Sequence, residues 1–198
     1  GNSISNTWTT LFNKQKTNLL IIGLDDSGKT TIMSQLQNDP ELGFKTQEAQ
    51  TIPSSKWSTN KIENDKTICT ELNLYVNVRI SPLFHVQFKD ADAIILVINS
   101  IDTERMEEAR EFLVKGVIES GHYKEGAPIL IFANQQDLPH ALLDKYIILS
   151  ETDIAEALKL DEIKDREIHI QKCCAITKEG LDEGIDWLAH SLNLENFN

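Results

Sequence analysis

Long apolar runs are missing from this 198-residue chain, and none approaches the roughly 18 to 20 residues that a membrane-spanning helix needs. The stretch Leu19 to Leu24 is too short for a secretory leader and runs into Asp25 and Asp26 instead of a small-residue cleavage site. Cysteine is scarce. Cys69, Cys173 and Cys174 form neither a disulfide framework nor a zinc spacing, so buried, reduced thiols in a cytoplasmic setting are expected. Basic residues are outnumbered, with 19 Lys and Arg against 31 Asp and Glu. The resulting net charge of −12 excludes a nucleic-acid surface and adhesion of the whole body to anionic lipid. Acid itself is missing from residues 1 to 24, which carry Lys14 and Lys16. The amino end is therefore chemically unlike the body.

What is present has an α/β pattern. Short, β-branched runs recur at Leu19 to Ile22, Ala93 to Ile98, Ile129 to Phe132 and Ile168 to Ile170, as buried parallel strands require. Helical stripes lie between and after them. Met106, Ala109, Phe112, Leu113 and Val117 share one face of a helix starting at Thr103, with Asp102 placed to cap it. Leu181, Ile185, Leu188 and Leu192 form a second stripe after Gly180. The polar segment Asn38 to Lys66 reads as a long loop leading into an edge strand, followed by an alternating segment from Thr67 to Val78. This gives one domain, residues 17–195, behind an amino-terminal appendage of residues 1–16.

Gly23-Leu24-Asp25-Asp26-Ser27-Gly28-Lys29-Thr30 matches G-x-x-x-x-G-K-[ST] between a strand and a helix-compatible run that continues with Thr31. Glycines let backbone N–H groups wrap a phosphate, and the helix start adds its positive end. Lys29 can neutralise terminal phosphates, and Thr30 offers Mg²⁺ an oxygen ligand. After the third apolar run, Asn134-Gln135-Gln136-Asp137 is similar to the guanine-reading N-K-x-D motif. The Asp137 carboxylate can accept from the guanine N1–H and N2–H pair, which adenine lacks, while Gln135 stands where Lys is usual. Cys174-Ala175-Ile176 is similar to a C-A-T loop that brings a backbone N–H to guanine O6.

Taken with Phe132-Ala133-Asn134, Asp137-Leu138-Pro139 and Gly180-Leu181 to Asp186-Trp187-Leu188, these motifs resemble the ADP-ribosylation-factor family of small GTPases over nearly the whole chain. The resemblance implies a P-loop G domain: a six-stranded, mostly parallel sheet with helices on both faces, plus an amino-terminal amphipathic helix. It implies GTP or GDP with Mg²⁺ as ligands. Two segments look longer than the family norm, after the phosphate-loop helix and from His140 to Thr152.

The family's switch regions are altered. Thr51-Ile52-Pro53-Ser54 resembles T-I-P-T, so Ser54 would be a second Mg²⁺ ligand beside Thr30, with Lys56 in place of Gly. The signature W-D-V-G-G-Q falls on Leu72 to Asn77. Asn73 replaces the metal-facing Asp, Val76 the glycine that meets the γ-phosphate, and Asn77 the water-orienting Gln. No D-x-x-G occurs between Ser58 and Asp92. Weak or absent hydrolysis is expected, with the nucleotide fixing one surface for a protein partner, even within a stable multi-subunit assembly. A cycling membrane-associated switch and a nucleotide-free scaffold are the alternatives. Finally, Gly1-Asn2-Ser3-Ile4-Ser5 fits N-myristoylation on Gly1, and Ile4, Trp8, Leu11 and Phe12 share a helical face suited to peripheral membrane contact.

Overall fold

In strand β1 (Thr17–Ile22), side chains alternate between the two faces of a sheet, and both faces are covered. Leu19 and Ile21 enter one core cluster and Leu20 and Ile22 the other, all of them buried. The computed structural model describes residues 16–40, 42–51, 57–74, 85–135 and 148–195. The readings placed on Gly1, Ile4, Trp8, Leu11, Phe12, Ser54, Lys56, Val76, Asn77 and Asp137 lie outside the described residues.

The remaining strands are β2 (Lys45–Thr51), β3 (Trp57–Glu63), β4 (Thr67–Leu74), β5 (Ala93–Asn99), β6 (Ile129–Asn134) and β7 (Ile168–Lys172). They form one sheet in the order β2-β3-β4-β1-β5-β6-β7. From β4 to β7 neighbouring strands run parallel, while β2, β3 and β4 pair antiparallel. The sheet thus has seven strands instead of the six expected. The additional one is β2, inside the segment read as a long loop. Its sequence, KTQEAQT, has no apolar alternation, because an edge strand needs only its neighbour's backbone. A register shift between Gln47 and Gln50 marks a bulge, common at sheet edges.

Helix α1 (Lys29–Gln37) buries Ile32, Met33 and Leu36 on one face of the sheet, beside α5 (Leu181–Glu195). The stripe Leu181, Ile185, Leu188 and Leu192 is buried there as its spacing requires. On the other face lie α2 (His85–Asp90), α3 (Met106–Glu111) and α4 (Glu151–Leu158). The helix expected from Thr103 is not uniform. It opens with a 3₁₀ turn at Thr103–Arg105, and past α3 it widens into a π-helical turn at Phe112–Ile118. Asp102 does not cap it through its side chain. Its carboxylate lies 3.7 Å from Arg105 instead, drawn by a full positive charge. Ser150 does cap α4, in a reciprocal capping box with Asp153.

Two glycines separate backbone strain from crowding. Gly43 has φ +62° and open space where a Cβ would stand, whereas Gly180, at φ +77° ahead of α5, would place a Cβ 1.9 Å from the Lys172 carbonyl oxygen. Gly43→Ala should cost about 1 to 2 kcal/mol, the penalty for a left-handed residue. Gly180→Ala adds backbone overlap of about 1 to 3 kcal/mol to the same strain. Denaturant unfolding of both variants measures the difference, and equal losses would contradict this packing.

Candidate functional site

The chain leaves β1 through Gly23, at φ +148°, where a Cβ would lie 2.3 Å from the Val97 carbonyl oxygen of β5. Only glycine passes that point. The loop ends at Gly28, left-handed at φ 97°, and α1 begins with Lys29. The first backbone bond of α1 runs from the Ile32 N–H to the Gly28 carbonyl at 3.0 Å. First-turn N–H groups therefore face out of the helix end, where the helix dipole favours an anion. Ser27 sharpens this. Its hydroxyl is buried, with the residue 2% exposed, and has no hydrogen-bond partner among the described residues. A phosphate oxygen is the kind of group that such an arrangement accepts.

Lys29 is itself buried and donates from Nζ to the Leu24 carbonyl at 2.7 Å, which folds the side chain back across the loop. Burial pushes its ammonium below the usual lysine range, while the carboxylates of Glu71, Asp25 and Asp26 act in the opposite direction. Asp25 is held from outside by Arg105, 2.6 Å away, which also binds Glu108 at 2.9 Å. The hydrogen bond from that guanidinium keeps the Asp25 carboxyl below the usual carboxylate range. Arg105 was not legible as a site residue, because nothing in the spacing of a 3₁₀ turn points back to a loop 80 positions earlier.

On the sheet side, the Thr30 hydroxyl donates to Glu71 Oε1 at 2.5 Å, and Asn60 Nδ2 donates to Glu71 Oε2 at 2.7 Å. Glu71 is fully buried in β4. It too escaped the sequence reading; the only signal was an acid on the same strand face as the core residue Cys69. A hydroxyl and a carboxylate are hard oxygen donors of the type Mg²⁺ selects, so the residues present fit that ion. Asn73 follows Glu71 by two positions on β4.

The base-side loops are tied to the phosphate loop by Asn134, which is only 3% exposed. Its Nδ2 donates to the Ser27 carbonyl at 2.8 Å, and its Oδ1 accepts from the Ala175 N–H at 2.9 Å. This bond engages the Ala175 N–H with protein. Gln135, at φ +67°, reaches back to the Asp26 carbonyl at 3.3 Å. Cys173 and Cys174 are buried, and Cys174 accepts from the Thr177 N–H at 3.3 Å, which shapes the loop. Ile176 projects outward, 71% exposed, while its carbonyl accepts from Gln35 of α1 at 3.1 Å. The structure thus gathers Gly23 to Thr30, Asn134, Gln135 and Cys174 to Ile176 at the carboxyl end of the parallel strands, with Thr31 next in α1.

Truncating Asn134 to Ala would leave the Ser27 carbonyl and the Ala175 N–H without their partner. Each buried orphan costs about 1 to 3 kcal/mol, so Asn134→Ala should lose at least about 2 kcal/mol in denaturant unfolding. A loss below about 0.5 kcal/mol, the surface-substitution range, would show that these bonds do not hold the loops together.

Comparison with known proteins accords with this geometry. The sequence model of the ADP-ribosylation factor family matches residues 4–192. ADP-ribosylation factor J of Dictyostelium discoideum is 33% identical over 196 residues, covering 97% of this chain and 96% of that protein. ADP-ribosylation factor 3 of Arabidopsis thaliana and ADP-ribosylation factor 1 of Brassica rapa subsp. pekinensis are each 35% identical over 185 residues, covering 93% of both chains in each pair. Members of this family bind guanine nucleotide with Mg²⁺. Among the described residues no helix is long and apolar enough to cross a membrane. With its phosphate loop, its sheet and nearly its whole length accounted for, the chain belongs to the ADP-ribosylation factor family of small GTP-binding proteins.

Proposed function

We propose that this chain holds a guanine nucleotide with Mg²⁺ as a lasting ligand, turns it over slowly or not at all, and presents one fixed surface to a protein partner. The observation that carries the reading is a contrast. The phosphate loop has its backbone geometry, its lysine and a Ser27 hydroxyl with no partner among the described residues. The segment beginning at Asn73, in turn, lacks the family's Asp, Gly and Gln.

The roles follow from the chemistry. Backbone N–H groups from Gly23 to Thr31 surround the phosphates, and Lys29 neutralises their charge. Asp137 selects guanine through paired N–H donors, and Asn134 and Gln135 position the loops. When bound, Mg²⁺ neutralises charge on the phosphate oxygens, with Thr30 and Ser54 as its hydroxyl ligands. Asn77 keeps an amide but is one methylene short of the water-orienting Gln. Val76 puts a β-branched side chain where a close backbone approach is needed. Phosphoryl transfer rests on positioning and electrostatics, so these changes suppress it. A ligand bound only by the folded chain adds about 4 kcal/mol of stability at a thousand times its dissociation constant, enough to hold a surface in one state.

Lys29→Ala should abolish retention of labelled GTP. In single-turnover assays the wild type should release no detectable phosphate over hours. The triple change Asn73→Asp, Val76→Gly and Asn77→Gln should recover at least part of the rate. Wild-type hydrolysis that the triple change does not accelerate would overturn the reading and return the chain to the cycling switches.

A further inference from the structure

Glu71 is a fully buried carboxylate in a strand whose Asp, two positions on, has been replaced by Asn73. Side chains of a strand alternate, so Cys69, Glu71 and Asn73 belong to one face of β4. That face meets α1, because Cys69 packs in the cluster holding Ile32, Met33 and Leu36. An acid at position 71 therefore addresses the same helix start as an acid at position 73, one strand repeat further from the strand end. The structure places it there, with Glu71 Oε1 2.5 Å from the Thr30 hydroxyl.

The direction of that bond matters. Thr30 donates its proton to the carboxylate, which leaves the lone pairs of Oγ1 for a cation and aligns them. Asn60, directly across the ladder from Glu71, fixes the other carboxylate oxygen at 2.7 Å. Among the described residues the side-chain donors to Glu71, Thr30 and Asn60, are neutral; the Lys29 ammonium acts on it through space and spends its hydrogen bond on the Leu24 carbonyl. The carboxylate therefore has no direct ion pair among the described residues, and buried carboxylates favour a nearby cation. Beside the group lies a cleft of about 160 Å³ between α1 and β3, bordered by the polar Thr30, Asn60 and Glu71, the apolar Met33 and Ile62, and Lys61. It has room for several waters, and Mg²⁺ retains several waters when it binds protein.

The geometry points to Glu71 as the relocated acidic residue of the Mg²⁺ site, acting through the Thr30 hydroxyl and the ion's water shell in place of the Asp lost at position 73. It deepens the proposal above and rests on it. A metal-facing carboxylate is thereby kept although the D-x-x-G sequence is gone. Nucleotide affinity then depends strongly on the divalent ion, because without it Glu71 repels phosphate.

The experiment uses the full chain with GDP and follows Mn²⁺ by electron paramagnetic resonance, alongside thermal unfolding. Glu71→Gln should weaken Mn²⁺ by about 10- to 100-fold, the range for lost outer-shell partners. Adding Asn73→Asp to that variant should restore most of the loss. Asn60→Ala keeps the carboxylate and should keep Mn²⁺ binding within about threefold, well short of the loss from removing an outer-shell partner. If Glu71 is only a clamp between α1 and β3, Glu71→Gln and Asn60→Ala will both lower the melting temperature with Mn²⁺ binding unchanged, which overturns the inference alone. Wild type that binds neither GDP nor GTP overturns the proposed function with it. Should Glu71→Gln fail to fold, Asn73→Asp alone decides. A gain in Mn²⁺ affinity of about tenfold or more would show the role vacant in the wild type, and little gain shows it filled.

Discussion

The side-chain amide of Asn134 is the bond on which the site depends. It sits at the end of β6, where a fully buried strand fixes its backbone, and it reaches two loops at once. Neither loop has an apolar core of its own. The phosphate loop is held from β5 by the close approach of Gly23 to Val97, and Gly28 is packed so tightly on Asn134 that a Cβ there would lie 2.1 Å from Nδ2. The Cys174 loop is closed by its own turn, with the Cys174 N–H on the Glu179 carbonyl at 2.9 Å. Asn134 joins these two preformed pieces from a buried position, with Gln35 on the Ile176 carbonyl and Gln135 on the Asp26 carbonyl as more exposed ties.

Charge follows the same logic of one centre serving several elements. Lys29 is drawn toward Glu71, Asp25 and Asp26 and resisted by burial, while Arg105 neutralises Asp25 from the α3 side. In a chain of net charge −12, Lys29 is a buried cation at the start of the helix that follows the phosphate loop. The Thr30–Glu71–Asn60 chain carries this arrangement across α1, β4 and β3. The acidic group of the site thus lies on a strand paired on both sides, with β3 and β1 as neighbours, and its position is fixed more firmly than a loop residue's.

Legibility in the sequence tracked burial. Strands β5 and β6 are apolar runs up to a closing Asn because helices cover both sheet faces, and α5 shows a clean stripe because it buries one side. Strand β2 left no such mark, since an edge strand of Lys, Thr and Gln owes its form to β3 and not to a core. Asp102 had the right residue type for a cap, but Arg105 competes for its carboxylate. Within the site, Gly23, Gly28 and Lys29 were visible because the backbone path allows few other residues. Glu71 and Arg105 were not, because each acts across the sheet or across the chain and has no fixed spacing to the loop it serves. Asn134 was legible as a residue of the base-reading motif, whereas its work as a tie needed coordinates.

The proposed function requires that nucleotide be retained and not consumed. Purifying the protein from cells without added nucleotide, denaturing it and identifying what it releases tests this directly. Close to one GTP per chain is expected; GDP as the released species, or no nucleotide at all, would contradict retention.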